Sequence, residues 1–146
     1  MTTADTAQHM VPLREGMFEM PDTIDGTPVL YGTHCTSCDA TTGSSERKYC
    51  ARCFKPTLER TTLGTTGTVQ SFTIVQQQLP GSLMKVPYVI ASTRLAGGGG
   101  VQTILTGIEP EDVRVDIAVE ICLRQVTEDD SGNPVVSFFF RPVDKD

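Results

Sequence analysis

Apolar and polar residues alternate strictly over one stretch of the chain. Ile117, Val119, Ile121 and Leu123 alternate with Ala118, Glu120, Cys122 and Arg124. A period of two puts one set on a buried face of a β-strand and the other, with Cys122, on the polar face. Four further β-rich runs cover 67–78, 86–95, 101–108 and 135–141. Turn chemistry separates the five: Pro80-Gly81, the four glycines at 97–100, Glu109-Pro110-Glu111-Asp112, and Asp130-Ser131-Gly132-Asn133. The third break predicts a single helical turn, since Pro110 suits a first helical position and the acids suit its positive end. In the last run Val135, Val136, Phe138, Phe139 and Phe140 are apolar on both faces, so that strand needs cover on two sides, from the N-terminal arm or from a partner subunit.

Upstream the pattern changes. Leu13, Met17, Phe18 and Met20 among Arg14, Glu15 and Glu19 predict one or two turns of amphipathic helix over 11–20 despite Gly16, stopped by Pro21. Residues 27–34 read as a strand that follows an Asp25-Gly26 turn. Beyond it, Cys35, Cys38, Cys50 and Cys53 form two Cys-x-x-Cys pairs with eleven residues between them. Two such turns facing each other supply four sulfurs for a tetrahedral zinc at about 2.3 Å. That site is closed: with no position left for water or substrate, the metal holds a fold together rather than activating a nucleophile. Residues 33–62 are too short and polar to bury a core, and metal substitutes for one. The expected architecture is mainly β: a helical arm over 1–32, a rubredoxin-like zinc ribbon over 33–62, and a barrel over 63–146. Five strands with a small helix between the third and fourth is the order of an OB-type barrel.

Charge narrows the functions. The formal net charge is -6, and a zinc bound by four thiolates brings it to about -8. Residues 109–130 hold eight acids against Arg114 and Arg124, whereas 47–60 hold Arg47, Lys48, Arg52, Lys55 and Arg60 against Glu59. An acidic chain of this kind is a poor general nucleic-acid binder. No run approaches the roughly 20 apolar residues of a membrane span, and the first residues lack the pattern of an export signal. The expectation is a soluble, cytoplasmic protein whose thiols stay reduced and free for metal.

The order of these parts resembles a known family. Its marks here are the double Cys-x-x-Cys ribbon, GTVQSFTIV at 67–75, VPYVIASTRL at 86–95, ILTGIEPEDVRVDIAV at 104–119 and FFFRPV at 138–143. Over about residues 13–143 the chain is similar to the acyl-CoA-associated zinc-ribbon/OB-fold proteins, domain of unknown function 35. The resemblance implies an accessory subunit that docks on a thiolase-superfamily enzyme (a thiolase, an acyltransferase or an aldolase acting on an aromatic or steroid side-chain acyl-CoA) as a hetero-oligomer with two copies of each chain. An enoyl-CoA hydratase partner is the alternative. It also places Cys35, Cys38, Cys50 and Cys53 at the four metal positions. Where such knuckles usually carry Gly after the second Cys, this chain has Asp39 and Phe54, and Ala51 replaces the usual Pro.

The remaining chemistry is sparse. The two histidines are His9, in a polar tail, and His34, beside a ligand cysteine; neither forms a catalytic pattern, and no turnover is expected from this chain alone. Arg47, Lys48, Arg52 and Lys55 are candidate anchors for CoA phosphates shared with the partner. The competing assignment is that they offset the negative zinc–thiolate centre. Single-stranded nucleic-acid binding by an OB barrel is the rival function, but Tyr88 is the sole aromatic between 88 and 106. Leu79, Leu83, Met84 and Val86 lie on a turn-rich loop that either caps the barrel or meets a partner.

Overall fold

The alternation at 117–124 becomes one wall of a closed barrel. In the computed structural model, which describes residues 10–14, 16–43 and 47–143, Val119, Ile121 and Leu123 point into the core from a strand spanning Ala118–Glu128. Five strands form the barrel: β6 (Thr66–Val75), β7 (Tyr88–Leu95), β8 (Gly100–Leu105), β9 (Ala118–Glu128) and β10 (Pro134–Pro142). β6 pairs antiparallel with β7 and β7 with β8; β8 meets β10 in parallel at Leu105 and Phe140; β10 runs antiparallel to β9, which returns to β6. That circuit is the OB order. A 3-10 turn at Pro110–Asp112, with Pro110 in its first turn, sits between β8 and β9 as the sequence implies, and Val113 beyond it is buried.

The N-terminal arm is not helical. Among the described residues the chain has ten strands and one 3-10 turn, and no α-helix. β1 (Val11–Pro12) pairs in parallel with Val135 and Val136 of β10, and the Leu13 N–H extends the ladder to the Val136 carbonyl at 2.7 Å. Gly16 then turns the chain at φ 84, and β2 (Phe18–Glu19) pairs antiparallel with Val29 and Leu30. The apolar spacing at 13, 17, 18 and 20 fits a helical face, but so short a segment with an internal glycine does not offset helix nucleation. Pairing with strands already in place satisfies the same backbone groups and buries Phe18 against Phe138, ring centroids 5.8 Å apart. The outer face of β10 is covered as well: Cys122 and Phe139, partners on the outer face of β9 and β10, are both buried. Residues 24–27 of the arm line a cavity of about 220 Å³ over Cys122.

The cysteine region forms its own sheet. β3 (Val29–Cys35) pairs with β2, with β4 (Thr41–Thr42) and with β5 (Leu58–Thr62). Across β3 and β5 the Arg60 guanidinium stacks 3.6 Å from the centroid of Tyr31. Buried Leu30 and Leu63 join this sheet to the barrel, and the Leu63 N–H donates to the Leu30 carbonyl at 3.0 Å. The glycine run at 97–100 marks the seam. A Cβ on Gly97 would lie 2.5 Å from the Leu63 carbonyl oxygen, and one on Gly43 would lie 2.1 Å from that of Gly100. Backbone there touches backbone, and only glycine fits.

The barrel contains one polar inconsistency. Thr93 on β7 is fully buried, and its hydroxyl has no hydrogen-bond partner. Stranding a hydroxyl in an apolar interior costs about 1–3 kcal/mol. Thr93→Val, which keeps the branched shape, is expected to raise unfolding stability by about 1 kcal/mol in urea titrations; a loss of stability of similar size would show that the hydroxyl is bonded after all.

Candidate metal centre

Two turns of the same construction bring the cysteines together. In the first, Cys35 ends β3, the Asp39 N–H donates to the Cys35 carbonyl at 2.9 Å, and the Cys35 N–H donates to Ala40 at 2.8 Å. The second repeats this fifteen residues later: Phe54 N–H to the Cys50 carbonyl at 2.9 Å, Cys50 N–H to Lys55 at 3.0 Å. Both turns close through a left-handed residue, Asp39 at φ 69 and Phe54 at φ 64. These are the positions where glycine is usual, and the larger residues keep the glycine geometry at a cost of about 1–2 kcal/mol each. Asp39 has a local compensation, since its carboxylate lies 2.6 Å from His34 Nε2. His34 is therefore a packing partner of the first turn.

The four sulfurs lie within 4.8 Å of one another. Cys35 and Cys53 Sγ are 3.6 Å apart and Cys38 and Cys50 Sγ 3.5 Å apart, well beyond a disulfide bond, and all five cysteines are free thiols. A tetrahedron with bonds of about 2.3 Å separates its corners by about 3.8 Å, so the donor set fits one zinc-sized ion. Backbone N–H groups already point at sulfur: Cys38 N to Cys35 Sγ at 3.5 Å, Cys53 N to Cys50 Sγ at 3.5 Å and Arg52 N to Cys50 Sγ at 3.3 Å.

These contacts ionise the cysteines unequally. The Thr57 hydroxyl, 3.2 Å from Cys35 Sγ, leads the effects that lower that thiol to about 6. The N–H groups of Cys53 and Arg52 pull Cys50 below its ordinary value. Cys38 is lowered by its bond to Ala40, but burial and the neighbouring sulfurs together push it up to about 12. Cys35 and Cys50, one in each turn, are both shifted toward thiolate, the form that a bound dication requires. Thr57 carries no signal in the sequence, because nothing in the cysteine spacing says which hydroxyl folds back onto sulfur.

The four cations proposed for phosphate are all exposed. Arg47 lines an open groove of about 800 Å³ between the cysteine sheet and the barrel, with Thr41 and Thr42 on one side, Gln102 on the other, and Met17, Val101 and Phe138 as apolar lining. Lys48, Arg52 and Lys55 are exposed around the second turn. None of the four forms an ion pair among the described residues. His9 lies outside the described residues. Cys122 is a poor nucleophile: burial raises its pKa, chiefly against the pull of Arg124 and Arg141, and Arg141 is itself held 2.8 Å from Glu120.

The loop between β6 and β7 is fixed by polar bonds, with Leu79 and Leu83 exposed and Met84 and Val86 half-buried. Gln78 donates to the Met84 carbonyl at 3.0 Å and accepts from the Val86 N–H at 3.2 Å, while Leu79 and Leu83 remain 58% and 50% exposed. No helix of the described residues is long and apolar enough to cross a membrane.

Both halves of the chain match known families. Residues 60–124 match the family described as ChsH2, C-terminal OB-fold domain, and residues 29–90 match the Nin one binding (NOB1) Zn-ribbon like family. A DUF35 domain-containing scaffold protein of Methanocaldococcus jannaschii is 29% identical over 79% of this chain and 82% of its own length. Another, from Pyrococcus furiosus, is 31% identical over 68% of this chain and 74% of its own. Among solved structures, a chain of the Ltp2-ChsH2(DUF35) aldolase superposes with a TM-score of 0.60 at 23% identity, covering 78% of this chain and 84% of that one, a likeness of fold. With 31% identity to a DUF35 protein over more than two thirds of both chains, the protein belongs to the DUF35 family.

Proposed function

We propose that this chain is a non-catalytic, zinc-bearing accessory subunit of a cytoplasmic thiolase-superfamily acyl-CoA enzyme, a thiolase or an aldolase. The carrying observation is the closed four-sulfur cluster on a barrel related to DUF35 scaffold proteins. Cys35, Cys38, Cys50 and Cys53 would hold zinc, which supplies cohesion to the ribbon and no open coordination position. The partner then carries the acid, base and nucleophile. The fold-level likeness to a subunit of an aldolase supports a hetero-oligomer, with two copies of each chain where the partner is a symmetric dimer. The groove beside Arg47 suits a share in holding CoA: a guanidinium for phosphate, threonine hydroxyls and an apolar lining. The outer face of β7 and β8 offers Tyr88 as its one aromatic, a poor platform for stacking bases.

Two measurements test this reading. Metal analysis of the purified chain is expected to give one zinc per molecule, and Cys38→Ser or chelation to release it and unfold the ribbon, since zinc binding is folding free energy in sites of this kind. A visible-absorbing iron centre, or sulfurs joined as disulfides, would falsify the zinc assignment. Co-expression with a thiolase-superfamily subunit from the same organism is expected to yield a complex, and Leu83→Ser with Met84→Ser to weaken it about tenfold or more while the melting temperature of the free chain stays put. Unchanged affinity would remove the β6–β7 loop from the interface, and thioester turnover by the isolated chain would remove the accessory role.

A further inference from the structure

We infer that the tip of the second cysteine turn, Tyr49 and Phe54 set among Lys48, Arg52 and Lys55, is a docking foot that inserts into an apolar recess on an acidic surface of the enzyme subunit. This rests on the accessory-subunit reading and names the surface that reading leaves open.

The two cysteine turns provide an internal comparison. They superpose in sequence at an offset of fifteen residues, so His34 corresponds to Tyr49 and Asp39 to Phe54. In the first turn that pair closes on itself, His34 Nε2 against Asp39 Oδ1 at 2.6 Å. In the second, the same two positions hold aromatic rings that remain 59% and 76% exposed, and neither ring stacks on another among the described residues. The bonds from Phe54 N–H to Cys50 and from Cys50 N–H to Lys55 make both rings leave one tight turn. Phe54 also occupies a left-handed backbone position. An exposed phenylalanine there costs strain and hydration with no return inside the chain, the situation in which an outlier points to function.

Charge identifies the occupant. Lys48, Arg52 and Lys55 neighbour the two aromatic residues in the sequence and are exposed with them, and no acid occurs from 47 to 58. Offsetting the zinc–thiolate centre accounts for part of this positive charge and for none of the aromatic area. Rings framed by cations are the composition of an interface anchor, with charge steering the encounter and a desolvated ring supplying affinity. A nucleic acid would reward the same residues, but it tracks a basic groove over several nucleotides, and outside 47–60 the sequence holds no basic cluster to continue one, whereas a protein contact can be confined to the tip. The favoured occupant is therefore an acidic protein surface.

The test uses the full zinc-loaded chain and the co-expressed thiolase-superfamily subunit. Phe54→Gly is the decisive variant, because glycine accepts the left-handed position. It is expected to melt at the same or a higher temperature, to keep one zinc, and to bind the subunit at least tenfold more weakly; Phe54→Trp restores binding. Lys48→Glu with Arg52→Glu and Lys55→Glu is expected to weaken the complex and flatten its salt dependence. If the wild-type chain binds while the Phe54→Gly and charge-reversed variants bind equally well, the docking foot is wrong and the accessory role stands. If the wild-type chain does not bind the subunit, both fall. A labelled single-stranded oligonucleotide held with sub-micromolar affinity through Phe54 and Arg52 would also overturn the proposal, by assigning the tip to nucleic acid.

Discussion

Four sulfur atoms have to meet at one point, and the shape of the N-terminal half follows from that requirement. Neither cysteine pair has enough chain around it to bury a core. Each is held by a turn whose carbonyl and N–H groups are occupied locally and whose last residue sits in the left-handed region. Once the turns face each other, β3 and β5 are drawn into register and the sheet has a fixed end. The electrostatics agree with the geometry. N–H groups and the Thr57 hydroxyl favour thiolate at Cys35 and Cys50, while Cys38 needs a cation to lose its proton.

The barrel contributes a rigid platform and a split that needs filling. β8 and β10 touch only near Leu105 and Phe140, and further along β10 its free edge is taken by β1 of the arm. The arm thereby closes an exposed strand edge, an arrangement that protects against unwanted pairing with other chains. It also presents Met17 to the groove beside Arg47. Three segments far apart in sequence thus meet at one concave surface.

What could be read from the sequence was what is local or strictly periodic. The cysteine spacing specifies two turns irrespective of the rest of the chain. The alternation in β9 and the breaks at Pro80-Gly81 and at the Glu109-Pro110 turn mark strand limits well enough for the OB order to emerge. The arm failed because its apolar spacing is compatible with either a helix or two short strands, and the choice is made by Val135 and Leu30, which no local window contains. For the same reason the groove and the contact from Thr57 to Cys35 were invisible: both are made by segments that meet only after folding.

The glycine seam between Gly43, Leu63 and the 97–100 run has a mechanical consequence. Where main chain rests on main chain there are no long side chains to shear or re-pack, so a displacement imposed at one end is passed on instead of absorbed. Ribbon and barrel should behave as a single stiff bracket. A protein bound at both ends of it would have its own two attachment points held at a set spacing.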